Sequence, residues 1–176
     1  MNMPIDKVAH EPVTPWWTPG TIEEAEKLLT PDMHAWEWGA GYSTVWMAHR
    51  VAMIIAMEHD PEWITKVGIR AREEGVNDKL QVIQKNYTTK EYKESINGMH
   101  RLFDFIIVDG HPETRVGCLE IAMTKVKPGG YILFDDSEND YYIDIWAKVA
   151  MKKNIEIFKH TPKDRRGKHA TIFRRT

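Results

Sequence analysis

Cysteine is nearly missing from this chain. Cys118 is the only one in 176 residues, so no internal disulfide can form. No apolar run is long enough to span a bilayer and no secretory leader is recognisable, so a reducing cytoplasm and no membrane partner are expected. An excess of one charge is missing as well. Lys and Arg number 24 against 26 Asp and Glu, for a formal net charge of -2, which gives no global attraction for nucleic acid or anionic lipid. Nucleic acid is therefore not the expected partner, and a homo-oligomer stays open. Repeats and low-complexity linkers are absent, and this length suits a single domain that buries about 70% of its unfolded surface. No Gly-Lys-Ser/Thr triplet appears, which excludes the phosphate cradle of nucleotide triphosphatases.

What is present is a regular alternation. The runs "AWEW" (35–38), "MIIAME" (53–58), "LQVIQ" (80–84), "FDFIIVD" (103–109) and "YILFDD" (131–136) read as strands, the central ones apolar on both faces as a buried parallel sheet requires. Helix-period segments "STVWMAHRV", "PEWITKVGIRAREEG" and "ETRVGCLEIAMTKV" lie between them, with proline and glycine as start and stop signals. Strand, crossover and strand repeated in this way predict an α/β fold, a doubly wound, mostly parallel sheet with ligands at the carboxyl ends of its strands. The tail departs from the pattern. "IEIFKH" (155–160) and "HATIFRR" (169–175), joined by polar "TPKDRRGK", predict an antiparallel hairpin appended to the sheet edge.

Gly39 and Gly41 fall where the first strand turns into the first of these helices, so a ligand can approach backbone N–H groups there. A dinucleotide fingerprint wants a third glycine three residues later, but Thr44 occupies that place, which argues against NAD. Glu58 closes the second strand 17 positions after Gly41, near the spacing at which a carboxylate reaches ribose hydroxyls. An adenosine-type ligand accounts for both features.

Together "EWGAGYST", "MEHDPEW", "FDFIIVDG", "KPGGYILFDDS" and a terminal "TIF" resemble the class I S-adenosylmethionine-dependent methyltransferases, from about residue 35 onward. The nearest resemblance is to small members with "EWG-x-G-x-ST" and "EHD-x-x-W", and a looser one is to the catechol-type O-methyltransferases. The family implies seven strands with an antiparallel last strand, and S-adenosylmethionine as cofactor. Residues 1–34 are then an N-terminal segment carrying a lid, and 35–176 the cofactor-binding methyltransferase domain, within one domain overall. The resemblance implies methyl transfer to an oxygen or nitrogen of a small, anionic acceptor. Cleavage of the same cofactor by hydrolysis or elimination, or a non-catalytic binding module, are the alternatives.

Residue by residue, the resemblance implies that Glu37, Gly39 and Gly41 line the methionine end of the cofactor, while Ser43 and Thr44 hold its carboxylate. Glu58 takes the ribose hydroxyls, His59 and Asp60 border the adenine, and Asn86 and Tyr87 lie on the far side of the ring. Each has a plainer structural alternative, Ser43 and Asp60 as helix caps and Tyr87 as an edge packer. Asp109, Asp135 and Asp136 all fall on the cofactor rim, and clustered carboxylates call for a cation or a shared proton. In catechol-type enzymes the matching positions bind magnesium through Asp, Asp and Asn. Here Asp136 replaces the Asn, and Pro112 stands where a basic lysine is expected. Metal binding by the three aspartates therefore stands beside a second reading. In it Asp109 contacts the sulfonium or methionine amine, and Asp135 and Asp136 serve the substrate. His111 is the candidate proton acceptor. Arg115 begins a helix against the dipole, which suits either a substrate anion or a salt bridge to Asp136. Trp16 and Trp17, in "PVTPWWTPG" (12–20), read as lid or substrate-stacking residues, or as an N-terminal clamp. Trp36, Trp38, Trp46 and Trp63 read as core, and "KDRRGKH" (163–169) as a solvated basic turn, with contact to nucleic acid, a phosphoglycan or a nucleotide as its alternative.

Overall fold

The structure is a computed structural model that describes residues 13–176; the first 12 residues of the N-terminal segment, including Pro12, lie outside the described residues. The parallel core strands are β1 (His34–Trp38), β2 (Met53–Glu58), β3 (Leu80–Gln84), β4 (Phe103–Val108) and β5 (Val126–Phe134). β6 (Ile155–His160) and β7 (Thr171–Arg175) complete a seven-stranded sheet of order β3-β2-β1-β4-β5-β7-β6. β7 is antiparallel to both β5 and β6. The predicted hairpin is thus present, and its returning strand is the one that joins the sheet.

Period-two alternation sends side chains from each central strand to opposite faces. Trp36, Trp38, Ile106, Val108 and Ile132 pack on one face with Cys118 and Leu119 of α5 (Pro112–Lys125). Ala35, Ile54, Phe105, Ile107 and Leu133 pack on the other, under α2 (Tyr42–Ala48) and α3 (Pro61–Glu73). Both faces of the central strands are covered, which is why their sequences are largely apolar.

Three helices lie outside the expected pattern: α1 (Pro19–Leu28), α4 (Lys90–Glu94) and α6 (Ile143–Ala150). α1 has the local signals of a helix start. Thr18 accepts the N–H of Thr21 and Pro19 occupies the first turn, where its missing N–H costs nothing. Ala25 then docks on the α2 face, and Thr21 joins Thr161 through a buried hydroxyl contact of 2.9 Å. β5 also starts earlier than its apolar run, at Val126, and stops at Phe134. Asp135 and Asp136 therefore stand beyond the strand. From β1 the chain winds outward through β2 to β3, then returns to lay β4 on the free side of β1. The crevice where strand order reverses opens above the carboxyl ends of β1 and β4.

Candidate active site

A cleft of about 710 Å³ lies at that crevice, walled by the loops that follow β1, β2, β4 and β5. Its volume falls within the range of roughly 300–1,000 Å³ usual for small-molecule sites.

The two glycines of the first turn are there for different reasons. Gly39 has φ +95, and a Cβ on it would stand 2.5 Å from the carbonyl oxygen of Asp109. Both its conformation and its packing require glycine. Gly41 has an extended backbone with φ -161, open to any residue, and the one atom near its missing Cβ is Ser43 Oγ at 3.9 Å. Neither backbone nor protein packing demands glycine at 41. The space it leaves clear belongs to the cleft.

Behind this turn Glu37 is fully buried. Its two oxygens accept the hydroxyls of Ser43 and Thr44, each at 2.5 Å, and Thr44 Oγ1 in turn accepts the N–H of Gly41. Burial pushes the Glu37 carboxyl up to about 8, against the lowering effect of the two hydroxyls. Ser43 lines the cleft, whereas Glu37 and Thr44 stand behind its wall and shape it.

Glu58 ends β2 on the cleft wall and is 4% exposed. Its Oε1 accepts the N–H groups of His59 and Asp60 at 2.7 and 2.8 Å and lies 2.9 Å from His59 Nδ1. Asp60 caps α3 through the N–H of Glu62. His59 faces Tyr87 edge-on at 4.9 Å, and Tyr87 stacks on His111 with 3.8 Å between centroids and planes 11° apart. These three rings form one cluster although their residues come from the ends of three different strands, and His59 and His111 are the two of them that line the cleft. The Asn86 carboxamide is turned to Thr88 and shapes its own turn. His111 lines the cleft, and its Nδ1 is shielded from solvent with no hydrogen-bond partner among the described residues.

Opposite lies the carboxylate cluster. Arg115 is 6% exposed and spends its guanidinium on Gly110 O, Asp135 O, Asp109 and Asp136. Asp109 also accepts the Trp17 indole N–H at 3.2 Å. Burial lifts Asp109 to about 6 despite the Arg115 charge, and lifts Asp135 to about 8 with help from Asp109 and Asp136. Burial acts on Asp136 in the same sense, but the Lys168 hydrogen bond and Arg115 outweigh it and hold that carboxyl below the usual carboxylate range. Asp136 has φ +49, a left-handed conformation that costs about 1–2 kcal/mol in a residue with a Cβ and is fixed here by its two cationic partners.

The two adjacent tryptophans separate. Trp17 is 5% exposed and edge-on to Trp46 in the core, with only its N–H directed to the site. Trp16 is 76% exposed and stands edge-on to Trp63 and Tyr42 at the cleft mouth, with centroid distances of 5.1 and 6.3 Å. Trp63, expected in the core, is instead half-buried on the cleft wall beside Tyr42. Trp36, Trp38 and Trp46 are buried as expected. Arg166 and Lys168 also line the cleft; the basic turn that carries them reads in sequence as solvated, because nothing local shows that β7 carries it back over the site.

A family model described as a methyltransferase domain matches residues 36–137. Among curated proteins none matches the chain. Several solved structures share the fold. The O-methyltransferase from Bacillus cereus in complex with SAH has 19% identity and a TM-score of 0.72, over 94% of this chain and 82% of that one. The O-methyltransferase TomG from Streptomyces achromogenes in complex with SAM has 15% identity and a TM-score of 0.73, over 89% and 79%. An rRNA methylase from Streptococcus thermophilus has 10% identity and a TM-score of 0.71, over 92% and 99%. With the matched stretch spanning both the glycine turn and the carboxylate cluster, the chain belongs to the class I S-adenosylmethionine-dependent methyltransferases.

Proposed function

We propose that this methyltransferase acts on a small molecule bearing an oxygen or nitrogen nucleophile, held between His111 and the loop that follows β5. The observation that carries the reading is Gly41. It keeps open a space that neither its φ nor any protein neighbour requires, directly beside the turn in which a cofactor of this family is expected. Ser43 is anchored to Glu37, and Glu58, with Oε1 spent on backbone N–H groups, has Oε2 left for a ribose hydroxyl. His59, backed by Tyr87, supplies an aromatic edge for a flat base.

When bound, S-adenosylmethionine supplies a methyl group on a sulfonium, taken by an acceptor lone pair as the carbon–sulfur bond breaks and sulfur leaves as a thioether. The protein's own contribution is mainly positioning. Asp135 and His111 are the groups that hold or take the acceptor's proton: both line the cleft, and among the described residues neither side chain forms an ion pair. An ammonium at Lys168, on the same wall, disfavours a protonated amine and favours an oxygen acceptor with anionic character. The net charge argues for a small molecule rather than for the RNA named for one of the structural neighbours.

Calorimetric titration with S-adenosylmethionine and S-adenosylhomocysteine tests the reading. Micromolar binding is expected for the wild type, with a loss of tenfold or more in Glu58→Ala. An equal response in both proteins, or none in the wild type, removes it. Product analysis after incubation with oxygen and nitrogen acceptors then separates transfer from simple cleavage of the cofactor.

A further inference from the structure

One carboxylate oxygen from each of Asp109, Asp135 and Asp136 lies within 4.8 Å of the others, and the likeness to catechol-type enzymes implies magnesium at these positions. The partners of the individual oxygens argue against it. Asp109 Oδ1 accepts from Arg115 at 2.8 Å and Oδ2 from Trp17 at 3.2 Å. Asp136 Oδ1 accepts from Lys168 at 2.8 Å and Oδ2 from Arg115 at 3.2 Å. All four oxygens of these two residues are engaged, and two unit positive charges already sit where a divalent ion would go. A hard cation wants several oxygens with free lone pairs in near-octahedral array, and like charges a few ångströms apart repel strongly in a partly buried site.

We infer that Arg115 and Lys168 take the place of a divalent ion here, so that this site binds its cofactor and works without metal. The inference rests on the methyltransferase reading and adds Lys168 to its working residues. The two cations differ in role. Arg115 is buried, and its N–H groups are satisfied within the protein, so it is the fixed member. Lys168 is half-buried on the cleft wall, and among the described residues its ammonium makes one hydrogen bond, to Asp136, out of the three donors it carries. Its aim is set locally. Asp164 Oδ1 accepts the N–H groups of both Arg166 and Lys168, at 2.8 and 3.0 Å, and Gly167 turns the chain at φ +81. The connection between β6 and β7 is thus a built turn that delivers one ammonium to one carboxylate.

The test is manganese binding followed by electron paramagnetic resonance on the wild type and Lys168→Ala, each saturated with S-adenosylhomocysteine. The affinity for that ligand is measured in parallel with magnesium and with chelator. The wild type is expected to bind no manganese at millimolar concentration, with an affinity for S-adenosylhomocysteine equal within twofold in magnesium and chelator. Lys168→Ala frees Asp136 Oδ1 and is expected to gain a bound-manganese signal, lost again when Asp136→Gly, which removes the ligand and suits the backbone at φ +49, is added. One manganese per wild-type chain overturns the inference, as does a Lys168→Ala protein that gains none. Failure of the wild type to bind S-adenosylhomocysteine in either buffer is a separate result, and strikes the methyltransferase reading itself.

Discussion

Gly39 and Asp109 are in direct backbone contact: a Cβ on the glycine would meet the aspartate's carbonyl oxygen at 2.5 Å and its carbonyl carbon at 2.7 Å. That approach closes the loops after β1 and β4 against each other and forms the floor of the cleft. The two glycines of the turn should consequently fail in different ways. Gly39→Ala introduces both a left-handed alanine and a clash, with an expected loss of about 2–4 kcal/mol, or roughly 6–12 °C in melting temperature. Gly41→Val should melt within a few degrees of the wild type and lose S-adenosylhomocysteine binding by tenfold or more. Thermal melts and calorimetry on the pair decide the matter, and a destabilised Gly41→Val with intact binding contradicts it.

Glu37 makes stability depend on pH. Its folded carboxyl is raised from 4.5 to about 8, so the folded state holds the proton more tightly than the unfolded state. Its contribution is complete below pH 4.5 and is lost as pH rises through about 8. Glu37→Gln keeps hydrogen-bonding capacity toward Ser43 and Thr44 but cannot ionise. Relative to the wild type it should gain stability progressively between those limits, by an amount on the order of a few kcal/mol at pH 9. Urea unfolding at pH 5, 7 and 9 measures the difference, and a pH-independent difference rules the account out.

Arg115 holds the carboxylate cluster together, and removing it leaves buried negative charge uncompensated. Arg115→Met is expected to cost about 3–5 kcal/mol. Trp17→Phe, which deletes one hydrogen bond to Asp109 and keeps the ring, should cost about 1 kcal/mol. Denaturant melts give both values, and an Arg115→Met protein as stable as the wild type would show that the cluster is neutralised by other means.

Trp16 is largely exposed and meets Tyr42 and Trp63 edge-on at the mouth of the cleft. Trp16→Ala should leave the melting temperature within roughly 2–4 °C, the shift for about 1 kcal/mol in a chain of this size, while weakening S-adenosylhomocysteine binding several-fold. Unchanged affinity would assign Trp16 to the surface alone.

Much of the fold was legible because central parallel strands buried on both faces leave apolar runs, and β2 begins and ends where its run does; the edge strands β3 and β6 keep their bounds through the polar and turn residues that flank them. α4 leaves no signal in the sequence, because five residues carry too little periodicity to register. The start of β5 is hidden in the sequence because "KPGG" looks like a turn, whereas Val126 pairs with Phe103 across a register shift. Within the site, Gly39, Gly41 and Glu58 were visible through spacing along one βαβ unit. Lys168, Trp63 and Tyr42 were not, since each reaches the cleft through tertiary placement. The split between Trp16 and Trp17 could not be read either: adjacent residues of one composition differ in burial by the direction of a single bend.

Every residue proposed to hold the nucleoside and methionine comes from positions 37–111, whereas Arg166 and Lys168 arrive on the ten residues between β6 and β7. This partition makes the connection an exchangeable cassette. On the proposed assignment, a relative's turn grafted over residues 163–168, leaving the bonds of Thr161 and His169 in place, is expected to alter which molecules are accepted with cofactor affinity unchanged.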